Sequence, residues 1–394
     1  MAVAGSNDGG GAGDGQRRAV RGGARLDRAA GVAVRDVLGV REGERVLIVT
    51  NPVADVRAIS EALLRSAAGA GARPVLMVQP TKGQLDHAEP QVLAALRTAP
   101  EVVLSISAEK LGKDPDALKR PIAGRRRRAG AKRPRYDHVF EYLLEERKIR
   151  SFWSPGVTVD MFVRTVPVDY AAMRSRASAL SRALDRAAQV RVTTPAGTDI
   201  VIGLRGRAAR RDDGDFRRPG AGGNLPAGEV FVSPELGSSR GRLVYDGSIS
   251  SDRGEILISE PIDCRVEAGF VRDVDGGEEA ERLRATLARS EGKAREMGRT
   301  GKVGAARAEL LARNARSLGE LGIGLNPAAR IVGNMLEDEK VYRTCHVALG
   351  SNYDNDAPAL THLDGLMRDP TIVAVGRTGR ERTLLDGGRL ILDA

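Results

Sequence analysis

Apolar residues in the first half of the chain fall either in short continuous runs or at helical spacing. The runs at Arg45–Thr50, Arg73–Pro80 and Glu101–Ser107 are typical of buried strands. Between them, residues 54–72 and 90–100 carry apolar side chains three and four positions apart, which predicts helices. Strands that alternate with helices at this spacing predict a parallel sheet covered by helices.

The second half of the chain has a different pattern, which follows an amphipathic helix predicted over Val168–Gln189. Residues 190–207 alternate apolar and polar on either side of Pro195–Gly197, which predicts a β-hairpin. Further short strands and two helices follow. We therefore predict an α/β fold class, with an N-terminal parallel-sheet α/β domain followed by a mixed α+β domain of antiparallel character.

Changes in composition suggest where the domains begin and end. Residues 1–24 are rich in glycine and poor in apolar side chains, so we expect a disordered tail. The first domain is predicted over residues 25–180, with a basic insertion at 112–136, and the second over 181–394. No apolar run approaches the roughly 20 residues of a membrane helix. No secretory signal is recognisable, so we expect a cytoplasmic protein without a membrane partner.

The net charge of +10 comes from one part of the chain. Between Lys119 and Arg135 there are nine basic residues and no acidic one, and removing them leaves about +1, since 10 − 9 = 1. Such a run is typical of a solvated insertion, although a loop that contacts phosphate or RNA is an alternative. Aromatic residues make up only 3% of the chain, too few for a stacking surface for single strands. A nucleic-acid partner is therefore not expected.

Two of the four histidines in the chain, His346 and His362, lie close together in sequence. Asp364 follows His362 by two positions, so both side chains point to the same face of an extended strand. Glu229 and Glu320 are carboxylates beside glycine-rich segments. Imidazoles together with carboxylates suit Zn²⁺, Co²⁺, Mn²⁺ or Fe²⁺. Spacing alone does not place the glutamates beside the histidines, and a structural role for each residue stays open.

The second half of the chain resembles the aminopeptidase T/S family of dinuclear metallopeptidases. The stretches that carry this resemblance are Gly223–Pro234, Glu320–Tyr353 and Thr361–Gly365. In the first half of the chain, Gly39–Asn51 is similar too, though more weakly, so the resemblance spans roughly residues 25–394. The resemblance implies that the second domain binds two divalent metal ions, Zn, Co or Mn. Its ligands would be Glu229, Glu320, His346, His362 and Asp364, with Glu229 as the bridging carboxylate.

The resemblance also implies two catalytic residues. Tyr353 matches a tyrosine that contacts the tetrahedral intermediate, and Glu339 is a candidate for an acid/base role. A metal-activated water would then remove N-terminal residues from peptide substrates, and the family further suggests a homodimer. However, Arg343 stands where the family usually has glycine, and the loop at 351–360 is shorter and more acidic than expected.

Two alternatives to the aminopeptidase hypothesis stay open. The related 2,5-dihydroxypyridine dioxygenases share the fold and use a Glu/His/His/Asp set around one Fe²⁺, which would make the chain a mononuclear Fe(II) ring-cleaving dioxygenase. In the other alternative, the basic run at 119–135 binds nucleic acid and the metal site has no catalytic role.

Overall fold

The computed structural model describes residues 23–83, 86–125 and 133–392. The chain divides into two compact units. The first unit comprises Met1–Pro167 with Asp215–Leu225, and the second comprises Val168–Gly214 with Pro226–Ala394. Most of the predicted tail at 1–24, and residues 126–132 of the predicted basic insertion, lie outside the described residues.

The first unit contains a five-stranded parallel sheet, as the sequence predicts. Its strands are β1 Arg45–Thr50, β2 Arg73–Val78, β3 Val102–Ser107, β6 Arg150–Pro155 and β10 Gly222–Asn224, in the order β10-β6-β3-β1-β2. Every residue of β3 is buried, which explains its continuous apolar run. Its helices are α1 Ala54–Gly69, α2 Pro90–Arg97, α3 Pro115–Lys119, α4 Val139–Tyr142 and α5 Val159–Thr165. A helical segment over residues 23–32 continues as a π-helical turn at Ala33–Val37.

The described part of the predicted basic insertion contains regular secondary structure. It contains α3 and the two short strands β4 Ile122–Ala123 and β5 Arg135–Tyr136, which pair antiparallel. Helix α4 is short, because it passes into a π-helical turn at Leu143–Arg147. Lys148 then adopts a left-handed conformation with φ 61°, which ends the helix before β6.

Most of the second unit consists of two antiparallel sheets and three helices of ten or more residues. One sheet has eight strands in the order β16-β15-β12-β8-β7-β20-β21-β22. Its strands are β7 Ala187–Thr193, β8 Asp199–Gly203, β12 Arg240–Tyr245, β15 Ile262–Glu267, β16 Phe270–Asp275, β20 Thr371–Gly376, β21 Glu381–Asp386 and β22 Arg389–Leu390. The helices are α6 Tyr170–Arg186, α7 Glu278–Arg299, α8 Ala305–Asn314 and the short α9 Met335–Asp338. The predicted hairpin at 190–207 forms as β7 and β8, so the mixed α+β character is confirmed.

The other sheet of the second unit has seven strands in the order β14-β13-β19-β18-β17-β11-β9. Its strands are β9 Arg210–Asp212, β11 Glu229–Val232, β13 Ser248–Ile249, β14 Ile256–Leu257, β17 Leu318–Gly324, β18 Thr344–Gly350 and β19 His362–Arg368. All residues of β17 and β18 are buried, so these two strands form the centre of the sheet.

The limits of the two units differ from the predicted domains in two places. Helix α6 belongs entirely to the second unit, whereas the predicted boundary at residue 180 would cut it. The side chain of Asp169 caps its start by accepting a hydrogen bond from the Ala172 backbone N–H at 3.0 Å, so the helix is one continuous element. Residues 215–225 return to the first unit because β10 pairs with β6. No helix among the described residues has the length and apolar content to cross a membrane.

Candidate metal centre

Four neighbouring strands of the seven-stranded sheet carry the predicted metal ligands. Glu229 begins β11, Glu320 lies in β17, His346 lies in β18, and His362 and Asp364 lie in β19. Glu320 pairs with Ala348, and Ala348 pairs in turn with Asp364. Because side chains two residues apart share a face, the ligands of β17, β18 and β19 emerge on one side of the sheet.

Small residues on the same face leave room between the larger side chains. Gly322 lies directly opposite His346, and Gly350 lies directly opposite His362. A Cβ atom added at Gly322 would lie 1.9 Å from Nε2 of His346, so only glycine permits this position of the imidazole. The alternation of large ligands with small residues explains why Gly-rich segments flank the acids in the sequence.

Around each of the two histidines, the distances between the donor atoms fit one metal ion. Nε2 of His346 lies 3.4 Å from Oε1 of Glu320 and 3.5 Å from Oε2 of Glu229. Nε2 of His362 lies 3.1 Å from Oε2 of Glu320 and 3.2 Å from Oδ1 of Asp364. Donors about 2.1 Å from a tetrahedral ion are separated by about 3.4 Å, so these spacings are those of ligands around one ion.

Several polar atoms of the predicted ligands are buried without a hydrogen-bond partner. They are Oε2 of Glu229, Nδ1 of His346, Nε2 of His362 and Oδ1 of Asp364. Buried polar atoms are almost always paired, and a bound ion is one explanation when they are not. The donor set, two imidazoles with carboxylates and no thiol, therefore fits a divalent metal ion.

Three groups of residues place their donor atoms within 4.8 Å of one another among the described residues. The groups are Glu229 with Glu320 and His346, Glu320 with His362 and Asp364, and Glu339 with His346 and Asp364. Glu320 is the carboxylate common to the first two groups. The resemblance gives Glu229 as the bridging carboxylate, and that role stays a prediction.

Close carboxylates perturb the protonation of both imidazoles in the metal-free protein. Burial acts to lower the pKa of His346, but the hydrogen bond and charge of Glu320 raise it to about 9. The pKa of His362 is raised well above its ordinary value because Asp364 and Glu320 outweigh the effect of burial. Burial also opposes ionisation of Asp364, yet the charge of His362 lowers its pKa to about 2. A metal ion must therefore displace protons from the imidazoles.

Glu339 lies within this cluster and contacts a buried lysine. Its Oε1 is 2.5 Å from Nζ of Lys340, whose side chain is fully buried. Nζ of Lys340 also lies 2.6 Å from Oε1 of Glu229 and 3.4 Å from Oδ2 of Asp212. Burial raises the pKa of Glu339 to about 8 and the pKa of Asp212 to about 7, although Lys340 opposes both shifts.

Tyr353 lies beside the imidazole of His362, with the ring centroids 5.3 Å apart. Its ring also contacts Phe231, at 5.0 Å between centroids, and its backbone carbonyl accepts a hydrogen bond from Arg210 at 2.9 Å. Arg207 and Arg210 both pair with Asp354, so they hold the acidic loop that carries the tyrosine. The half-exposed ring of Tyr353 thus forms an edge of the site.

The structure brings together all seven residues that the sequence predicts for the site, and their chemical roles stay predictions. Sequence reasoning missed Lys340, Asp212, Phe231 and Arg210. The only available signal for Lys340 was its place beside Glu339 in a motif already singled out for its acids. A cavity of about 790 Å³ in the first unit, at the ends of β3 and β6, has none of the seven predicted residues in its lining.

Comparison with known proteins gives one family match. Residues 158–352 match the family model of NicX, described as 2,5-dihydroxypyridine 5,6-dioxygenase. The matched segment contains Glu229, Glu320 and His346 and ends before His362. A comparison with curated proteins gave no significant sequence match.

Two solved structures share the fold at low sequence identity. The structure of 2,5-dihydroxypyridine dioxygenase from Pseudomonas putida KT2440 has a TM-score of 0.68 and 18% identity, covering 94% of this chain and 98% of that chain. Wild-type AmpT from Thermus thermophilus has a TM-score of 0.61 and 20% identity, covering 93% of this chain and 99% of that chain. These similarities establish the fold, and the family match favours the dioxygenase over the aminopeptidase.

Proposed function

We propose that this chain is a metal-dependent ring-cleaving dioxygenase that acts on a hydroxylated nitrogen heterocycle of the 2,5-dihydroxypyridine kind. The observation that carries the proposal is the match of residues 158–352 to the dioxygenase family model, which includes three of the clustered donors. The proposal reverses the order of the two hypotheses drawn from the sequence.

The donor set supports this proposal independently of the comparisons. Two histidines and a carboxylate are the protein ligands of many non-haem Fe(II) oxygenases, and His346, His362 and Asp364 are of these residue types. Each group of converging donors contains one of the two imidazoles, and the two oxygens of Glu320 lie between them. Glu229 and Glu320 offer further carboxylate oxygens beside them. When bound, Fe²⁺ would supply the redox chemistry that lets O₂ react with an aromatic ring.

Side chains at the edge of the cluster suit a planar, hydroxylated substrate. The rings of Phe231 and Tyr353 provide an aromatic surface. A planar aromatic substrate can pack against it, because aromatic rings pack favourably offset or edge to face. The guanidinium of Arg210, whose central carbon lies 6.0 Å from the Tyr353 ring centroid, supplies a positive charge for an ionised hydroxyl. Glu339, whose pKa burial raises to about 8, would take up or release a substrate proton.

The direct test is oxygen consumption by the full chain reconstituted anaerobically with Fe²⁺. With 2,5-dihydroxypyridine we expect uptake of one O₂ per ring opened, and loss of uptake in the His362→Ala variant. The matched control is His138→Ala, since His138 belongs to the first unit and bonds there to the Gly112 carbonyl. Metal-loaded protein that consumes no O₂ with any hydroxylated pyridine would refute the proposal.

A metallo-aminopeptidase is the second candidate, and one geometric feature favours it. Glu320 presents one oxygen toward His346 and the other toward His362, the arrangement expected of a carboxylate between two ions. Two ions about 3.5–4 Å apart are typical of aminopeptidases. Chain loaded with Co²⁺, Zn²⁺ or Mn²⁺ would then bind two ions and hydrolyse an amino-acid anilide without consuming O₂.

A further inference from the structure

Lys340 lies where three carboxylates meet, and its side chain is completely buried. Its ammonium is 2.6 Å from Oε1 of Glu229 and 2.5 Å from Oε1 of Glu339, with Oδ2 of Asp212 at 3.4 Å. A lysine is rarely buried unless it is paired, so the three carboxylates account for its position.

The pairing of β9 with β11 brings two acidic side chains together beside Lys340. Asp212 on β9 and Glu229 on β11 lie directly opposite each other in the antiparallel register. Like charges in directly opposite positions destabilise a strand pair, and burial increases the cost. Lys340 lies between these two acids and offsets their repulsion.

The same contact determines which oxygen of Glu229 faces the candidate metal centre. Oε1 of Glu229 is held by Lys340, whereas Oε2 lies 3.5 Å from Nε2 of His346 and has no hydrogen-bond partner. Glu339, held by the same ammonium, has a donor atom within 4.8 Å of those of His346 and Asp364. One lysine thus orients two carboxylates toward a single imidazole.

We propose that Lys340 is a positioning residue of the metal centre. Its ammonium orients Glu229 so that this carboxylate binds the metal through one oxygen, and it holds Glu339 beside Glu229. The inference rests on the metal binding that underlies the proposed function. Groups that orient metal ligands typically change metal affinity by about 10–100-fold when they are removed.

The test measures Co²⁺ binding by the full-length Lys340→Met variant, by calorimetry and by the visible absorption of the bound ion. We expect binding to weaken about 10–100-fold and the absorption bands to change, since Glu229 is free to rotate. A purely structural lysine would lower stability but leave the spectrum of the bound ion unchanged.

Two companion variants distinguish the effect of the contact between Lys340 and Glu229 from the effect of the total charge of the cluster. Asp212→Asn keeps the contact between Lys340 and Glu229, so it should bind Co²⁺ within about threefold of the wild type, with the same spectrum. The double variant Lys340→Met/Asp212→Asn removes one basic and one acidic group together. With every carboxylate counted as ionised, the formal charge of the cluster is −2 in both proteins, because −3 + 1 and −2 + 0 are equal. The double variant should still bind weakly, and it also serves if Lys340→Met does not fold.

The outcomes distinguish this inference from the proposed function. If the wild type binds no Co²⁺, the metal centre and the proposed function fail together. If the wild type binds Co²⁺ and the lysine variants match it in affinity and spectrum, only the role of Lys340 is refuted. Equal weakening by Asp212→Asn alone would also refute it, because the charge of the cluster would then matter rather than the contact with Glu229.

Discussion

Gly322 leaves the space that the His346 ring occupies, so its replacement by alanine tests the site directly. An ideal Cβ at this position would lie 1.9 Å from Nε2, 2.1 Å from Cε1 and 2.7 Å from Cδ2 of His346. Non-bonded carbon contacts are normally about 3.5 Å, so the ring must move by at least about 1.5 Å. Metal–ligand distances tolerate only about 0.2 Å, so His346 would no longer serve as a ligand.

The expected loss is large for both metal affinity and stability. Loss of a direct ligand should exceed the effect of losing a supporting contact, so we expect metal binding at least about 100-fold weaker, or about 2.7 kcal/mol. Overpacking of a buried strand costs a further 1–3 kcal/mol, roughly, in the free energy of unfolding. Competition with a coloured chelator measures the first quantity, and urea unfolding of the metal-free protein measures the second.

Gly365→Ala is a matched control, because it introduces a similar clash elsewhere in the same sheet. Its Cβ would lie 2.4 Å from Cε1 of Tyr245, and Gly365 points to the face opposite its neighbour Asp364. We expect this variant to lose stability but to bind metal within about threefold of the wild type. If Gly322→Ala binds metal as tightly as the wild type, the ligand role of His346 is refuted.

Four further predictions concern the same unit. Removal of the metal with a chelator should lower the melting temperature by about 5 °C or more, since a ligand at 100 times its dissociation constant contributes about 2.7 kcal/mol; an unchanged melting temperature would argue against a resident ion. Metal binding should release protons at pH 7, measured by calorimetry in buffers of different ionisation enthalpy, because the pKa of His346 is raised to about 9. Protonated His346 stabilises the metal-free protein fully below about pH 6.5, and this stabilisation is lost as the pH rises through about 9. The free energy of unfolding of the metal-free protein should therefore fall over that range, and an increase would contradict this prediction. Arg210→Ala removes the contact with the Tyr353 carbonyl and should raise the KM of the substrate about fivefold, a cost of about 1 kcal/mol, whereas Arg191→Ala, an exposed pair with Asp199, should leave KM unchanged.

Local pattern was sufficient to predict much of the fold. Strand β1 begins and ends where the apolar run at Arg45–Thr50 does, and the parallel sheet follows from alternating strands and helices. Strand β10 was not predicted, because Gly222, Gly223 and Asn224 have no intrinsic preference for strands. That short strand pairs with β6 only through its backbone, which a sequence pattern does not reveal.

The site was predicted in its members but not in its arrangement. Glu320 was expected only to lie beside a glycine-rich segment, yet it lies within β17, where Gly322 is needed opposite His346. Asp212 and Lys340 reach the cluster through the pairing of β9 with β11 and through α9, which are contacts between distant parts of the chain. No spacing rule along the chain encodes such contacts.

The most direct measurement for the central claim is the metal content of the chain after anaerobic Fe²⁺ loading and removal of free ions. The account predicts about one tightly bound Fe²⁺ per chain in the wild type and almost none in a His362→Ala/Asp364→Ala variant that keeps its fold. Wild-type protein that retains no divalent ion under these conditions would contradict the assignment of the cluster as a metal centre.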